Sequence, residues 1–243
     1  MSEKKSKSTN IKHERRGAAM KGDILRSTIL SERIIPNMDV KYRKQFPIPE
    51  EHRALGLFTA DCDDVCYIGM DEATKGTNIE VVHATALYAG AANASFKFSG
   101  EFFGAFSAPN PEDIVSAFNI IHQVVDNDAY FISCNDDDSV AYIAHTISRS
   151  GTYWPQISTV KPNEALVYLI APPNEAMYGM DAALKAAEVD IAAFWAPPTY
   201  TNCGGGILKG EQSACRAAGE AFGKAVQQIA DAPLKLLPGI ETM

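Results

Sequence analysis

The 243-residue chain has no apolar run of the ~18 residues that a membrane span needs, and no apolar signal-peptide core near its start. A soluble, intracellular protein with no membrane partner is therefore expected. Five cysteines (62, 66, 134, 203 and 215) form no CxxC pair and are odd in number. That pattern argues against a disulfide framework and for reduced cytosolic thiols. The five histidines do not flank the cysteines at ligand spacing, so no structural zinc site is assigned. Basic charge is scarce over most of the chain. Of 22 Lys/Arg, seven lie in residues 1–21 beside only Glu3 and Glu14, leaving 15 against 28 acidic side chains in the rest. So acidic a body disfavours nucleic acid as its partner. The Lys- and Ser-rich residues 1–21 read as a disordered basic arm.

What the chain does contain is a second copy of itself. Gly69-Met70-Asp71-Glu72-Ala73-Thr74-Lys75 recurs as Gly179-Met180-Asp181-Ala182-Ala183-Leu184-Lys185, an offset of 110 residues. Ile79-Glu80-Val81 recurs at the same offset as Val189-Asp190-Ile191. A solenoid needs three or more short units, so two long copies mean one duplicated domain. Each copy is of ordinary domain size, and 46% hydrophobic residues can fill two modest cores. With the boundary near Asn127, the chain divides into the arm (1–21), a first domain (22–126), a second (127–235) and a tail (236–243).

Local patterning gives the two copies one order of elements. Residues 24–35 are a β-prone run stopped by Pro36, and Asn37 is the expected cap of a short helix reaching Phe46. Residues 55–60 read as a buried strand, with Asp61-Cys62-Asp63-Asp64 as the turn leaving it. A helix over 65–77 follows, then strands at 79–82 and 102–107. Beyond Pro111, Ile114, Val115, Phe118, Ile121, Val124 and Val125 keep helical spacing. In the second copy 138–148 reads as helical, 166–171 as a strand and Pro172-Pro173-Asn174-Glu175 as its exit turn. A helix at 178–187, a strand at 189–195 and an amphipathic helix at 212–229 complete it. Asn135-Asp136-Asp137-Asp138 lacks the glycine and glutamate of a calcium loop and reads as a helix cap. The fold class is α/β, an α+β sandwich in which each copy is an antiparallel sheet with helices on one side.

Five stretches together resemble one known family. They are Leu55-Gly-Leu-Phe-Thr-Ala-Asp-Cys-Asp-Asp-Val65, Asp71-Glu-Ala-Thr-Lys75, Leu87-Tyr-Ala-Gly-Ala-Ala92, Ser148-Arg-Ser-Gly-Thr-Tyr153 and Ala171-Pro-Pro-Asn-Glu-Ala-Met-Tyr178. In order and spacing, from about Gly22 to Pro233, the chain resembles the tandem-domain shell proteins of bacterial microcompartments. Within that family it is most similar to the L-type shell proteins of ethanolamine-utilisation compartments. The resemblance implies two tandem, circularly permuted microcompartment domains and a homotrimer that tiles, as a flat pseudohexamer, with other shell proteins. It places the chain in a compartment shell within the cytoplasm. It also implies no enzyme and no cofactor, but passage of small metabolites such as ethanolamine through a gated central pore and small pores in each subunit. The internal repeat suits that assembly, since three chains of two similar domains supply six positions.

The resemblance also assigns roles to residues. Two loops at the repeat offset, 85–96 and 193–206, become the central-pore gate: Thr85, Leu87, Tyr88, Ala89, Gly90 and Asn93 in the first, Phe194, Trp195, Pro197, Pro198, Thr201 and Asn202 in the second. Read from composition alone they are surface loops. Gly, Ala and Ser make the first permissive, and Pro197-Pro198 before Gly204-Gly205-Gly206 makes the second stiff and then loose. The acidic turns read alone as Asx turns on a solvated edge. By resemblance Asp63, Asp64 and Glu175, with Phe131 beside them, line the small pore and bind an aminoalcohol. An ammonium suits carboxylates and an aromatic face, and weak multi-site binding permits transit. Phe131 also fits plain core, since it lies in the apolar run Ala129-Tyr130-Phe131-Ile132. Packing is the default role for Cys62 and Cys66. No metal is assigned; Cys203 stands out only because three copies near a threefold axis could share a metal or cluster.

Two readings from other classes compete. One is a magnesium-dependent hydrolase using Asp61, Asp63, Asp64 and Glu175, but no histidine or nucleophile motif accompanies these carboxylates. The other is a small-molecule-sensing trimer. Trp154-Pro155-Gln156-Ile157, Tyr200 and the basic arm depart from the ethanolamine pattern. A propanediol or ethanol compartment is thus the alternative setting.

Overall fold

The 110-residue repeat folds twice. In a computed structural model of the chain, residues 19–86, 101–137, 139–197, 199 and 201–236 are described. The first unit runs β2 (Ile29–Ile35), α1 (Val40–Arg43), β3 (Ala54–Ala60), α2 (Asp63–Gly76), β4 (Glu80–Ala86), β5 (Phe102–Ala108) and α3 (Pro111–Gln123). After a π-helical turn (Val124–Asp128) and β6 (Phe131–Ser133), the second unit repeats that order. It runs β7 (Ala141–Ile147), α4 (Trp154–Ile157), β8 (Leu166–Ala171), α5 (Pro173–Ala186), β9 (Asp190–Trp195), β10 (Gly204–Lys209) and α6 (Gln212–Asp231). All pairings are antiparallel, and the sheet orders correspond strand for strand: β2-β3-β5-β4 and β7-β8-β10-β9. β6 and β1 (Ile24–Leu25) extend the second sheet along its β7 edge.

The copies agree even in their irregularities. Pairing of β4 with β5 skips Val82, and pairing of β9 with β10 skips Ala192, so each copy carries a bulge at the same repeat position. β8 explains why 166–171 is a continuous apolar run. Leu166, Tyr168 and Ile170 project into a core shared with the first unit, while Val167, Leu169 and Ala171 face α5 and α6. Alternating side chains on one strand thus fill two cores, and every residue of β8 is buried. The shared core runs from Phe58, Phe106 and Phe118 to Trp154 and Ile207, which makes the two units one packed body.

Several local expectations change. The 24–35 run is broken, because Asp61 accepts hydrogen bonds from Ser27 Oγ (2.9 Å) and Thr28 N (2.7 Å) and sends the two halves to different sheets. The cap of α1 is Asp39, whose carboxylate accepts from Lys41 N, rather than Asn37. The 138–148 stretch is no helix. β7 occupies it, held between β6 and β8, and ladder pairing on both edges overrides its weak helical pattern. Asn135, Asp136 and Asp137 therefore cap nothing; they lie in the β6–β7 hairpin, where Asn135 accepts from Val140 N and Asp137 from Ser139 N. The supposed exit turns at 61–64 and 172–175 are already helix from Asp63 and Pro173 onward. Gly204-Gly205-Gly206 is not a loose linker but the start of buried β10.

Candidate functional site: a carboxylate-lined cavity between the two units

Asp63 and Asp64 open α2 directly after the extended Cys62, where the helix N-terminus favours negative charge. Both are nevertheless buried. Their partners are phenols. The Tyr67 hydroxyl, one turn along α2, favours the Asp63 carboxylate, and Tyr168 of β8 donates its hydroxyl to Asp64 across the joint. Tyr67 in turn stacks on Tyr153 (5.9 Å, 17°), while Trp154 and Trp195 flank Tyr168 at 5.0 and 6.0 Å. All of these groups except the fully buried Trp154 line a cavity of about 670 Å³ whose remaining wall includes Thr85, Ala86, Phe194, Thr199 and Thr201. No Lys, Arg or His is among its described lining residues.

The second unit's share of this wall is held in place by the repeat motif. Asp71, fully buried, accepts from the main-chain N–H of Gly151 (2.8 Å), Tyr153 (3.2 Å) and Trp154 (3.3 Å). One turn on, Thr74 Oγ1 accepts from Thr152 N (2.9 Å). The Ser148–Tyr153 motif is therefore the receptor for a carboxylate of the other copy. Gly151 is required there because a Cβ would lie 2.1 Å from Thr74 Oγ1.

Charge is concentrated and uncompensated in this cavity. Burial pushes the Asp63 carboxyl up, and burial followed by the Asp63 charge pushes Asp64 well up. Glu101, just before β5, rises to about 7 through burial and then repulsion from Asp63 and Asp61. The same causes, burial first, raise the thiols of Cys62 and Cys66 and take Cys203 to about 12. One donor atom from each of Cys62, Asp63 and Asp64 lies within 4.8 Å of the others, a grouping able to surround a cation. Because its thiol holds its proton, Cys62 is the weakest of the three.

The residues singled out in the sequence are thus partly gathered. Asp63 and Asp64 meet in the cavity wall together with Thr85, Phe194, Trp195 and Thr201. Phe131 packs half-buried against the shared core, and Glu175 lies in the first turn of α5; neither lines the cavity of a single chain. Pro197 packs on Gly204, and Asn202 takes a left-handed backbone (φ 61) in the turn before β10. Leu87, Tyr88, Ala89, Gly90, Asn93 and Pro198 lie outside the described residues. Tyr67, Tyr153, Tyr168 and Asp71 were not read as functional from sequence. For Tyr168 a signal existed: a phenol inside an otherwise wholly apolar strand needs a polar partner.

No family model matches the chain. The bacterial microcompartment shell protein EutL of Clostridium perfringens is 47% identical over 215 residues, 88% of this chain and 99% of that protein. A crystal structure of the ethanolamine utilization protein EutL from Leptotrichia buccalis, 50% identical, superposes with a TM-score of 0.87 over 89% of this chain and 100% of that one. The trimeric shell protein PduB shares the fold, with a TM-score of 0.69 at 17% identity over 84% of this chain and 89% of that one.

Proposed function

Because the chain belongs to the EutL family of bacterial microcompartment shell proteins, we propose that it passes small solutes across such a shell as a pseudohexameric homotrimer. It is a structural shell protein of an ethanolamine-utilisation compartment in the cytoplasm, and not an enzyme. The units 22–126 and 127–235 alternate around the ring, and the loops 85–96 and 193–206 gate its centre. Asp63 and Asp64 bind a small ammonium-bearing alcohol such as ethanolamine at the cavity between the units. One observation carries that site: two buried carboxylates beside three tyrosines, in a cavity whose described walls hold no cation. An ammonium would supply the missing charge, and the rings would face its methylenes. Phe131 and Glu175 are assigned to the small pore on the resemblance alone.

Two measurements test the site. Asp64→Asn keeps an acceptor for Tyr168 but removes the charge, so calorimetric titration should show ethanolamine binding weakened by about tenfold or more. Unchanged affinity would remove the ammonium site. The second is pH dependence. Both aspartates have folded-state values raised above the unfolded value of about 4, so the empty cavity loses stability as pH rises through the raised values. An ammonium binds the ionised pair, and affinity should therefore rise with pH above the ordinary carboxylate range, as the raised aspartates ionise, with proton release. A flat profile would contradict the charged-pair reading.

A further inference from the structure

The cavity between the units is far larger than the solute assigned to it. About 670 Å³ is a volume that suits a drug-sized ligand, whereas ethanolamine is a two-carbon aminoalcohol. The wall is also rich in rings. Tyr67, Tyr153, Tyr168, Phe194 and Trp195 are five of its fifteen described lining residues, in a chain that is 9% aromatic. Burial above all pushes the three phenols up from their ordinary range, so these rings stay neutral and bring no charge of their own. Charged acceptors are confined to one patch of the wall, where oxygens of Asp63 and Asp64 lie within 4.8 Å of each other. Elsewhere the wall is rings, alanine, isoleucine and threonine, and Thr199 and Thr201 already bond one another at 3.2 Å.

Such a wall distinguishes kinds of ammonium. A primary ammonium carries three N–H donors and a tight hydration shell, so away from the aspartates it loses water and gains few acceptors. A trimethylated head has no N–H to satisfy. Its charge is spread over methyl groups, which pack on aromatic faces while the carboxylates hold the cation. We propose that the cavity is a binding site for quaternary ammonium alcohols, compounds of the choline class, and holds them more tightly than the primary amine. The proposal rests on the ammonium reading of the same two aspartates. The methylated head sits between those carboxylates and the rings of Tyr67, Tyr153 and Tyr168, with Phe194 and Trp195 beside it. Phe194 is half exposed, so the head also covers apolar surface that the empty cavity leaves in water. A solute held this way leaves slowly, whereas transit needs weak sites. Quaternary ammonium alcohols are therefore competitors of ethanolamine here rather than passengers.

The test is calorimetric titration of the full chain with choline, with ethanolamine, and with the neutral isostere of choline in which a tert-butyl group replaces the trimethylammonium. Choline should bind about tenfold more tightly than ethanolamine and displace it, and the isostere should bind at least about tenfold more weakly than choline. Phe194→Leu and Trp195→Leu should each weaken choline several-fold more than ethanolamine. Phe194 is half exposed, so its replacement leaves the core intact, and a native-like melt checks the fold of Trp195→Leu. Ethanolamine bound as tightly as choline overturns this inference and leaves the ammonium site standing. An isostere bound as tightly as choline also overturns it, because the cavity would then read shape and not charge. Choline affinity unmoved by both ring variants puts its site elsewhere and overturns it as well. A chain that binds neither cation overturns both readings.

Discussion

Asp71→Ala is expected to lower stability by about 3–5 kcal/mol and the thermal midpoint by roughly 10 °C, read by calorimetry or circular dichroism. The side chain is fully buried and accepts three main-chain N–H groups from the other unit. Truncation leaves those donors buried and without acceptors, at the point where Tyr153 and Trp154 enter the shared core. Lost packing adds little, since the removed atoms are few. The loss is therefore mainly one of unmet hydrogen bonds. Asp71→Asn, which keeps one acceptor oxygen, should lose less than half as much. Equal stability of all three proteins would mean that the carboxylate does not hold the units together. Asp181→Ala in an isolated chain should be nearly neutral, because its only described partner is Lys185 on a solvated face.

Replacement of Gly205 should be the most damaging change to the chain. Its φ of +144° is a backbone state that side-chain-bearing residues rarely adopt, and a Cβ would sit 1.9 Å from the carbonyl oxygen of Leu169. β10 lies between β8 and β9, so neither neighbour can retreat without opening a ladder. Gly205→Ala should cost about 4 kcal/mol or more, and Gly205→Val should prevent recovery of soluble protein. Native-like melting of Gly205→Ala would show that the strand relaxes around a methyl group. The neighbouring Gly204 offers a graded comparison. A Cβ there meets only the Pro197 ring, at 2.9 Å, and its backbone is ordinary, so Gly204→Ala should be milder.

The duplication was legible because helix packing imposes one pattern twice. Gly69 packs on Ile121 and Gly179 on Phe222, so the small residue inside each repeat helix marks the crossing of that helix with the last helix of its unit. The strands at 55–60, 102–107, 166–171 and 189–195 were equally legible as short β-prone apolar runs. β7 and β10 were not. β7 contains alanines that fit either period, and β10 begins with three glycines whose fitness for a strand depends on the carbonyls they approach. The site was read in half. Adjacent aspartates at the exit of a strand are visible in one dimension. Their phenolic partner Tyr168 lies 104 positions away, across the joint.

By itself, then, the sequence determined that one domain occurs twice, that its body is acidic, and which family it resembles, because these are matters of composition, period and motif. Only the tertiary structure decided that Asp71 is a buried clasp while Asp181, its copy, stands exposed. Only it showed that Asp63 and Asp64 are enclosed by tyrosines of both units rather than solvated at a turn. The physical reason is the same in both cases. Burial and hydrogen-bond supply are set by what the other unit brings to the joint, and identical residues in a repeat receive different neighbours.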